Sequence, residues 1–301
     1  MAAEDPFRAL VRAEGVRLYR DLPWRHTRDP YAIWISEVML QQTQVPRVLA
    51  RWEGWFERFP TVQALADAEQ AEVLAAWQGM GYNRRALALK AAAEELVCSR
   101  GGAFPREAAE LTALPGIGPA TAQGIRSFAF DLPGVYLETN VRTVFLHHCF
   151  PEASGVPDRE LVPLVEAACP AAPGCEADPG PFAAPQDPDD TPRSWYYALL
   201  DYGAHLKKTV PNPSRRSSGY ARPSRFEGSR RQKRAALVRV LLDARAARPD
   251  GLELDEVAAR LGAAETAAGR GEPPLELVSE LLEELAREGF CTVSDGRWRI
   301  A

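Results

Sequence analysis

A chain of 301 residues, 46% hydrophobic and 26% charged, is long enough to bury a core without disulfides and suits a soluble protein of about two domains. No apolar run approaches the roughly 18–20 residues of a membrane span, and residues 1–10 lack signal-peptide order, so a secreted, membrane or disordered protein is not expected. The net charge of −5, from 36 basic and 41 acidic residues, speaks as an average against a nucleic-acid partner.

Helical periodicity dominates, and the expected fold class is mainly α. A first helix is read over 7–22. Pro30 opens a second, carrying Ile33, Trp34, Glu37, Val38 and Leu40. Further helices are expected at 45–59, 61–68, 71–77, 84–100, 106–113, 119–129 and 139–148, punctuated by Pro60, Gly79, Gly81, Gly101, Gly102, Pro115 and Gly134. Residues 169–193 are rich in Pro, Ala, Gly and Asp and read as a flexible excursion. Helix resumes at 194–207. The tail reads as helices at 233–247, 254–261 and 274–289 and a hairpin at 291–300 turning on Asp295-Gly296. Three helices and a ribbon suggest a winged-helix-like module, a shape that serves DNA and protein partners alike.

Charge is uneven along the chain. Between His205 and Arg239 stand eleven basic residues, Arg215 and Arg216 among them, against the single acid Glu227. That stretch carries +10 and the rest of the chain −15. It reads either as a solvated linker or, with Tyr220, Phe226 and several serines interleaved, as a segment lying along phosphates. Cys98, Cys149, Cys169, Cys175 and Cys291 form no C-x-x-C pair, so neither a structural zinc nor an iron–sulfur site is expected. Buried free thiols in a reducing cytoplasm are expected instead.

The sharpest local motif is Leu114-Pro115-Gly116-Ile117-Gly118-Pro119-Ala120-Thr121-Ala122. Two glycines in a turn that opens into a helix can aim backbone N–H groups and a helix dipole at one phosphate, without reading sequence. That reading is preferred to a plain helix–helix turn. Glu37 follows Ile33 by four residues on an otherwise apolar helix, and its position alone suits an exposed residue or a dipole partner better than a catalytic acid.

With Leu22-Pro23-Trp24-Arg25, Pro30-Tyr31 and Trp34, Ser36-Glu37-Val38-Met39-Leu40-Gln41-Gln42-Thr43-Gln44-Val45, Arg58-Phe59-Pro60-Thr61, Gly79-Met80-Gly81-Tyr82 and the glycine turn, the chain resembles the helix–hairpin–helix DNA glycosylases of the endonuclease III superfamily. Within them it is most similar to the MutY type, which excises adenine. The resemblance spans about residues 22–148. It implies two all-helical lobes with DNA crossing the cleft between them and the target nucleotide flipped into it. The implied division is a glycosylase domain at 1–210, with a six-helix lobe at about 22–134 and a second lobe from 1–21 and 135–210. A basic linker at 211–232 and a winged-helix-like domain at 233–301 complete it.

By resemblance, Glu37 protonates the leaving adenine and then orients water, a role that needs a pKa raised by burial. Glu138 stands where the family usually has Asp and stabilises positive charge on the sugar, as paired carboxylates do in glycoside hydrolysis. Gln41 and Gln42 fill the gap left by the flipped base. Tyr82 wedges at the mismatch, Arg25 reaches the adenine pocket, and Gly116, Gly118 and Thr121 belong to the phosphate-gripping hairpin. Ala120 occupies the position of the Lys that bifunctional members use as a nucleophile, so a monofunctional enzyme without strand nicking is expected.

Three features depart from the family. Asn83-Arg84-Arg85 replaces a more aromatic pattern. No cysteine occurs where the iron–sulfur cluster should follow Leu206, and the basic segment with Arg215 and Arg216 stands there instead. The domain that recognises oxidised guanine is not recognisable. The expected partner is duplex DNA with a mismatched or damaged base, met by a monomer at the bacterial nucleoid in the cytoplasm. No cofactor is expected beyond the structural monovalent ion common at this family's hairpin. The alternatives are excision of thymine or uracil from mismatches, or of deaminated purines, and a DNA-binding or regulatory protein without chemistry.

Overall fold

The computed structural model describes residues 5–171, 190–221 and 225–301. Helix α1 (Pro6–Arg17) starts where the Asp5 carboxylate accepts the Phe7 N–H, and α2 (Pro30–Leu40) where Asp29 accepts that of Tyr31; both place Pro in the first turn, where no N–H is needed. Then come α3 (Val45–Arg58), α4 (Val62–Asp67) capped by Thr61, α5 (Gln70–Ala76), and α6 (Arg84–Arg100), which ends on left-handed Gly101. Next are α7 (Ala108–Thr112), α8 (Pro119–Phe130), α9 (Thr139–Cys149), α10 (Asp158–Ala168) and α11 (Pro192–Thr209). The tail is α12 (Arg230–Ala244), β1 (Leu252–Glu253), α13 (Leu254–Ala267), α14 (Leu275–Arg287), β2 (Cys291–Ser294) and β3 (Arg297–Ile300).

Two differences from the periodicity reading have local causes. Helix α10 was not expected, because Pro163 interrupts its pattern; burial of Leu161, Val165 and Ala168 holds it together nonetheless. The first helix stops at Arg17, and a single 3-10 turn at Pro23–Arg25 stands where the longer reading ended.

The chain forms two compact units, 1–42 with 103–222 and 43–102 with 223–301. The expected lobes, 22–134 and 1–21 with 135–210, are cut differently. Ile33 of α2 and Phe128 of α8 share one core with Val11 of α1, Phe145 of α9, and Trp195, Tyr196 and Leu199 of α11, so these helices fold together. Phe128 stacks on Tyr197 with centroids 4.4 Å apart and meets Tyr136 edge-on at 5.2 Å. Helix α11 crosses α9 so closely that a Cβ on Gly203 would lie 2.1 Å from the Asn140 carbonyl oxygen. Only glycine permits that approach.

In the second unit Trp55 packs edge-on against Trp77 at 5.6 Å, and Leu65, Leu74, Leu89 and Leu96 are buried. The tail has the element order of a winged helix, with a sheet ordered β1-β3-β2 and Leu252 paired to Trp298 and Cys291 to Ile300. Strand β1 adds an edge not expected from sequence, and Asp295 and Gly296 turn the hairpin at φ 51 and 71. The tail is not a free-standing domain as its expected boundary implied. Gln70 Nε2 donates to Gly289 O at 2.7 Å, and the Arg84 guanidinium grips Glu288 at 2.8 and 2.5 Å.

Nor are residues 211–232 a plain linker. Asn212 caps a 3-10 turn at Pro213–Arg216, and Val156 N–H donates to Arg216 O at 2.8 Å while Ser218 N–H donates to Val156 O at 2.9 Å. Arg230, at the segment's far end, already begins α12. Cys98 and Cys149 are exposed rather than buried, Cys169 is half-buried and Cys291 buried. Cys175, Arg222 and most of the expected excursion lie outside the described residues.

Candidate active site

Helix α2 is buried at Tyr31 to Ser36, Val38 and Met39, so Glu37 rises from an apolar rod. Its carboxylate lies against α8 at Gly124, where a Cβ would come within 2.2 Å of Oε2 and 3.1 Å of Cγ. Tyr136 donates its hydroxyl to the same Oε2 at 2.8 Å. Glu37 is half-buried, and loss of water around its carboxyl pushes the pKa up to about 8. The Tyr136 hydrogen bond opposes that rise and the charge of Glu138 adds to it. At neutral pH Glu37 is mostly a neutral acid.

Glu138 caps α9. Its Oε1 accepts the backbone N–H groups of Asn140 and of Val141, the latter at 3.1 Å. Burial raises its pKa, while those two N–H donors and the cations Lys207 and Arg142 pull it back. Those donors favour the ionised form of Glu138 and oppose the rise that burial causes, whereas on Glu37 burial is opposed by the Tyr136 hydroxyl. Lys207 is itself lowered by burial and supported by Glu138.

The loop joining the acids is held from behind. Tyr196 Oη accepts the Tyr136 N–H at 3.1 Å and donates to Gly134 O. Tyr136 and Gly124 were missed by sequence reading. Tyr136 is two residues before Glu138 but 99 from Glu37, and no spacing rule joins a loop tyrosine to a helix that distant. Proximity to Glu138 was the usable signal for Tyr136; for Gly124 there was none.

At the hairpin, Gly116 has φ 71 and Gly118 caps α8, and both are exposed, as is Ala120. Pro115, Gly116 and Ile117 keep carbonyl oxygens that take no backbone N–H among the described residues. Thr121 is buried, and its Oγ1 accepts Gln41 Nε2 at 3.1 Å, which ties two predicted site residues together. Gln42 is exposed at φ 52, a left-handed conformation that costs a non-glycine residue roughly 1–2 kcal/mol.

Other expected residues stand elsewhere. Arg25 does not present its guanidinium to a ligand: Nη1 and Nη2 each donate to Asp201 at 2.7 Å, beneath the Tyr197 ring at 4.4 Å. With both side chains almost fully buried, the pair is internal architecture. Arg216 is half-buried and donates to Leu146 O at 3.1 Å, whereas Arg215 is exposed. Tyr82 is exposed, at φ 50. The stretch 207–216 offers no thiolate, and Asn212 and Ser214 bond one another within it. It does not fit an iron–sulfur cluster.

Residues 35–164 match the family described as HhH-GPD superfamily base excision DNA repair protein. Over 241 residues the chain is 35% identical to an adenine DNA glycosylase of Mycolicibacterium smegmatis, covering 74% of this chain and 76% of that protein. The adenine DNA glycosylase of Homo sapiens is 43% identical over 134 residues, 42% of this chain and 24% of that protein. Among solved structures, a thermostable thymine-DNA glycosylase aligns with a TM-score of 0.54 at 24% identity, over 66% of this chain and 84% of its own. Endonuclease III in a non-covalent DNA complex aligns at 0.51 and 19%, over 69% and 87%. At these identities the structural likeness speaks for the fold alone.

Proposed function

Because this chain belongs to the HhH-GPD superfamily of base excision DNA repair proteins, within its MutY-type group, we propose that it hydrolyses the N-glycosidic bond of adenine flipped from a mismatch with 8-oxoguanine or guanine. The carrying observation is the Glu37 carboxyl, seated on Gly124 and bonded to Tyr136, with a pKa of about 8.

Neutral Glu37 donates its proton to a ring nitrogen of the adenine, so that the base leaves with the electron pair of the C1′–N9 bond. The sugar is left as an oxocarbenium ion, and Glu138, held by its Oε1 on the α9 N–H groups, stabilises that charge. Glu37, now anionic, takes a proton from water as the water oxygen bonds to C1′. Adenine and an abasic site result, and Glu37 is returned protonated. Ala120 has no amine to replace water, so the abasic strand is left unnicked. Resemblance supports the hairpin turn at Gly116 and Gly118 as the grip on a DNA phosphate, with Arg215 and part of the basic segment adding charge. The protein is read as a monomer acting at the nucleoid, with no cofactor in the hydrolysis.

The test is incubation with duplexes carrying adenine opposite 8-oxoguanine or guanine, and thymine or uracil opposite guanine, followed by alkaline cleavage of abasic sites. Adenine release with no cleavage before alkali is expected. Release from the pyrimidine mismatches alone would replace adenine as substrate, and no release from any duplex would leave a binding protein without chemistry.

A further inference from the structure

In the second unit three features that the sequence leaves separate come together: the Gly79–Tyr82 loop, the Asn83-Arg84-Arg85 departure and the basic opening of α12. Tyr82 is 45% exposed in the left-handed region, with φ 50, and is held there from two sides. From within, Arg85 Nη2 donates to Thr43 Oγ1 at 3.2 Å, Met80 O at 3.0 Å and Gly81 O at 2.9 Å. Its guanidinium lies 5.1 Å from the Trp77 ring centroid and 5.5 Å from that of Tyr82. From the tail, Arg231 Nη1 donates to the Tyr82 hydroxyl at 3.2 Å and stands 5.9 Å from the ring centroid.

The tail is fixed in that position by a chain of ion pairs. Arg84 grips Glu288, Arg234 bridges Glu288 at 2.5 Å and Glu284 at 2.8 Å, and Arg230 reaches Glu284 at 2.7 Å. A winged helix that reads DNA in the usual way lays its third helix in the major groove. Here that helix, α14, carries Glu276, Glu280, Glu283 and Glu284 against the single cation Arg287. Glu280 and Glu284 are paired with Arg230 and Arg234, and Glu276 and Glu283 outnumber Arg287, so the helix offers phosphates no excess of positive charge.

We propose that the winged-helix-shaped tail is a brace rather than a groove reader, and that it presents Arg231 beside Tyr82 so that the two form one DNA-contacting edge. The Tyr82 ring has the wedging role that the resemblance implies; what the tail adds is the Arg231 guanidinium beside it, which pairs with a phosphate of the same duplex. The identity of the duplex, one with mismatched adenine, rests on the function proposed above; the contact itself does not.

The test uses the full chain carrying Glu37→Gln, so that turnover does not intrude, and measures affinity for an adenine:8-oxoguanine duplex over a series of salt concentrations. Arg231→Ala is expected to weaken binding about tenfold and to lower the slope of log affinity against log salt by about 1. Arg231→Lys, which keeps the charge, restores the slope. Tyr82→Ala weakens binding by a similar factor without changing the slope, and the double variant loses less than the product of the two. Unchanged affinity and slope in Arg231→Ala overturns the proposal, as does a loss that Arg231→Lys does not repair. If the parent chain excises no adenine but Arg231→Ala still lowers the slope, the substrate assignment fails and this contact stands.

Discussion

The Tyr136 hydroxyl donates to Glu37 Oε2 across 2.8 Å, and it is the one contact on Glu37 that lowers a pKa otherwise raised by burial and by Glu138. On the proposed mechanism Glu37 acts as an acid while protonated, so the rate should fall as pH rises through about 8. Tyr136→Phe removes the donor and moves that limb to higher pH, with a loss of about tenfold in single-turnover rate from the misplaced carboxyl. A limb that stays near 8 would remove Tyr136 from the site's proton chemistry.

Burial of Glu37 also sets a stability window. The folded pKa lies above the ordinary value of 4.5, so the unfolded chain releases this proton first and stability is lost between pH 4.5 and about 8. Glu37→Gln abolishes turnover and relieves that loss. The variant should gain on the order of 3 kcal/mol relative to the parent at pH 8 and little at pH 4. Urea denaturation at the two pH values checks it; an equal difference at both contradicts the assignment.

Glu138 caps α9 and, on the proposed mechanism, also stabilises the charge on the sugar. Glu138→Asp keeps an N-cap carboxylate and should hold or raise the rate. Glu138→Ala should reduce single-turnover excision by about 100-fold and cost about 1 kcal/mol through the lost cap. An alanine variant that turns over normally would leave only the capping role.

Gly203 and Asn140 test the packing beneath the site. Gly203→Ala drives a methyl into the Asn140 carbonyl, and a loss of about 1–3 kcal/mol is expected in denaturation. An unshifted midpoint would show that α11 and α9 part at little cost.

Arg25 separates architecture from recognition. Arg25→Ala removes two donors from the buried Asp201 carboxylate and leaves it to Arg20, whose Nε donates to Oδ1 at 2.5 Å; a loss of about 1–3 kcal/mol is expected. Arg25→Met with Asp201→Leu should recover most of that loss and retain excision. If the stable double variant binds substrate DNA as the parent does but cannot excise, Arg25 has a role at the base after all.

Much of the helix order was legible because apolar spacing, Asp29 before Pro30, and Gly101 after Arg100 are local signals. Helix α10 was hidden by Pro163, since burial of Leu161 and Val165 outweighs one missing N–H and nothing local announces it. Glu37 and Glu138 were readable as motif residues, whereas their proton states depend on Gly124, Tyr136 and Lys207, brought in from distant positions. The pairing of Arg25 was not readable because its partner Asp201 lies 176 residues away. The +10 segment was the least faithful guide: charges counted as available to phosphates include Arg230 and Arg234, which neutralise Glu284 and Glu288.

Helix α8 carries the glycine turn at one end and, six residues on, the seat of the acid at Gly124. A helix rises about 1.5 Å per residue, so the two lie about 9 Å apart on one stiff rod. On the proposed reading that rod works as a ruler. A phosphate held at Gly118 determines which sugar comes level with Glu37, and a slip of one base pair, about 3.4 Å along the duplex, takes the neighbouring nucleotide out of reach of its proton. Register along the strand is then set by the backbone, before any base has been inspected.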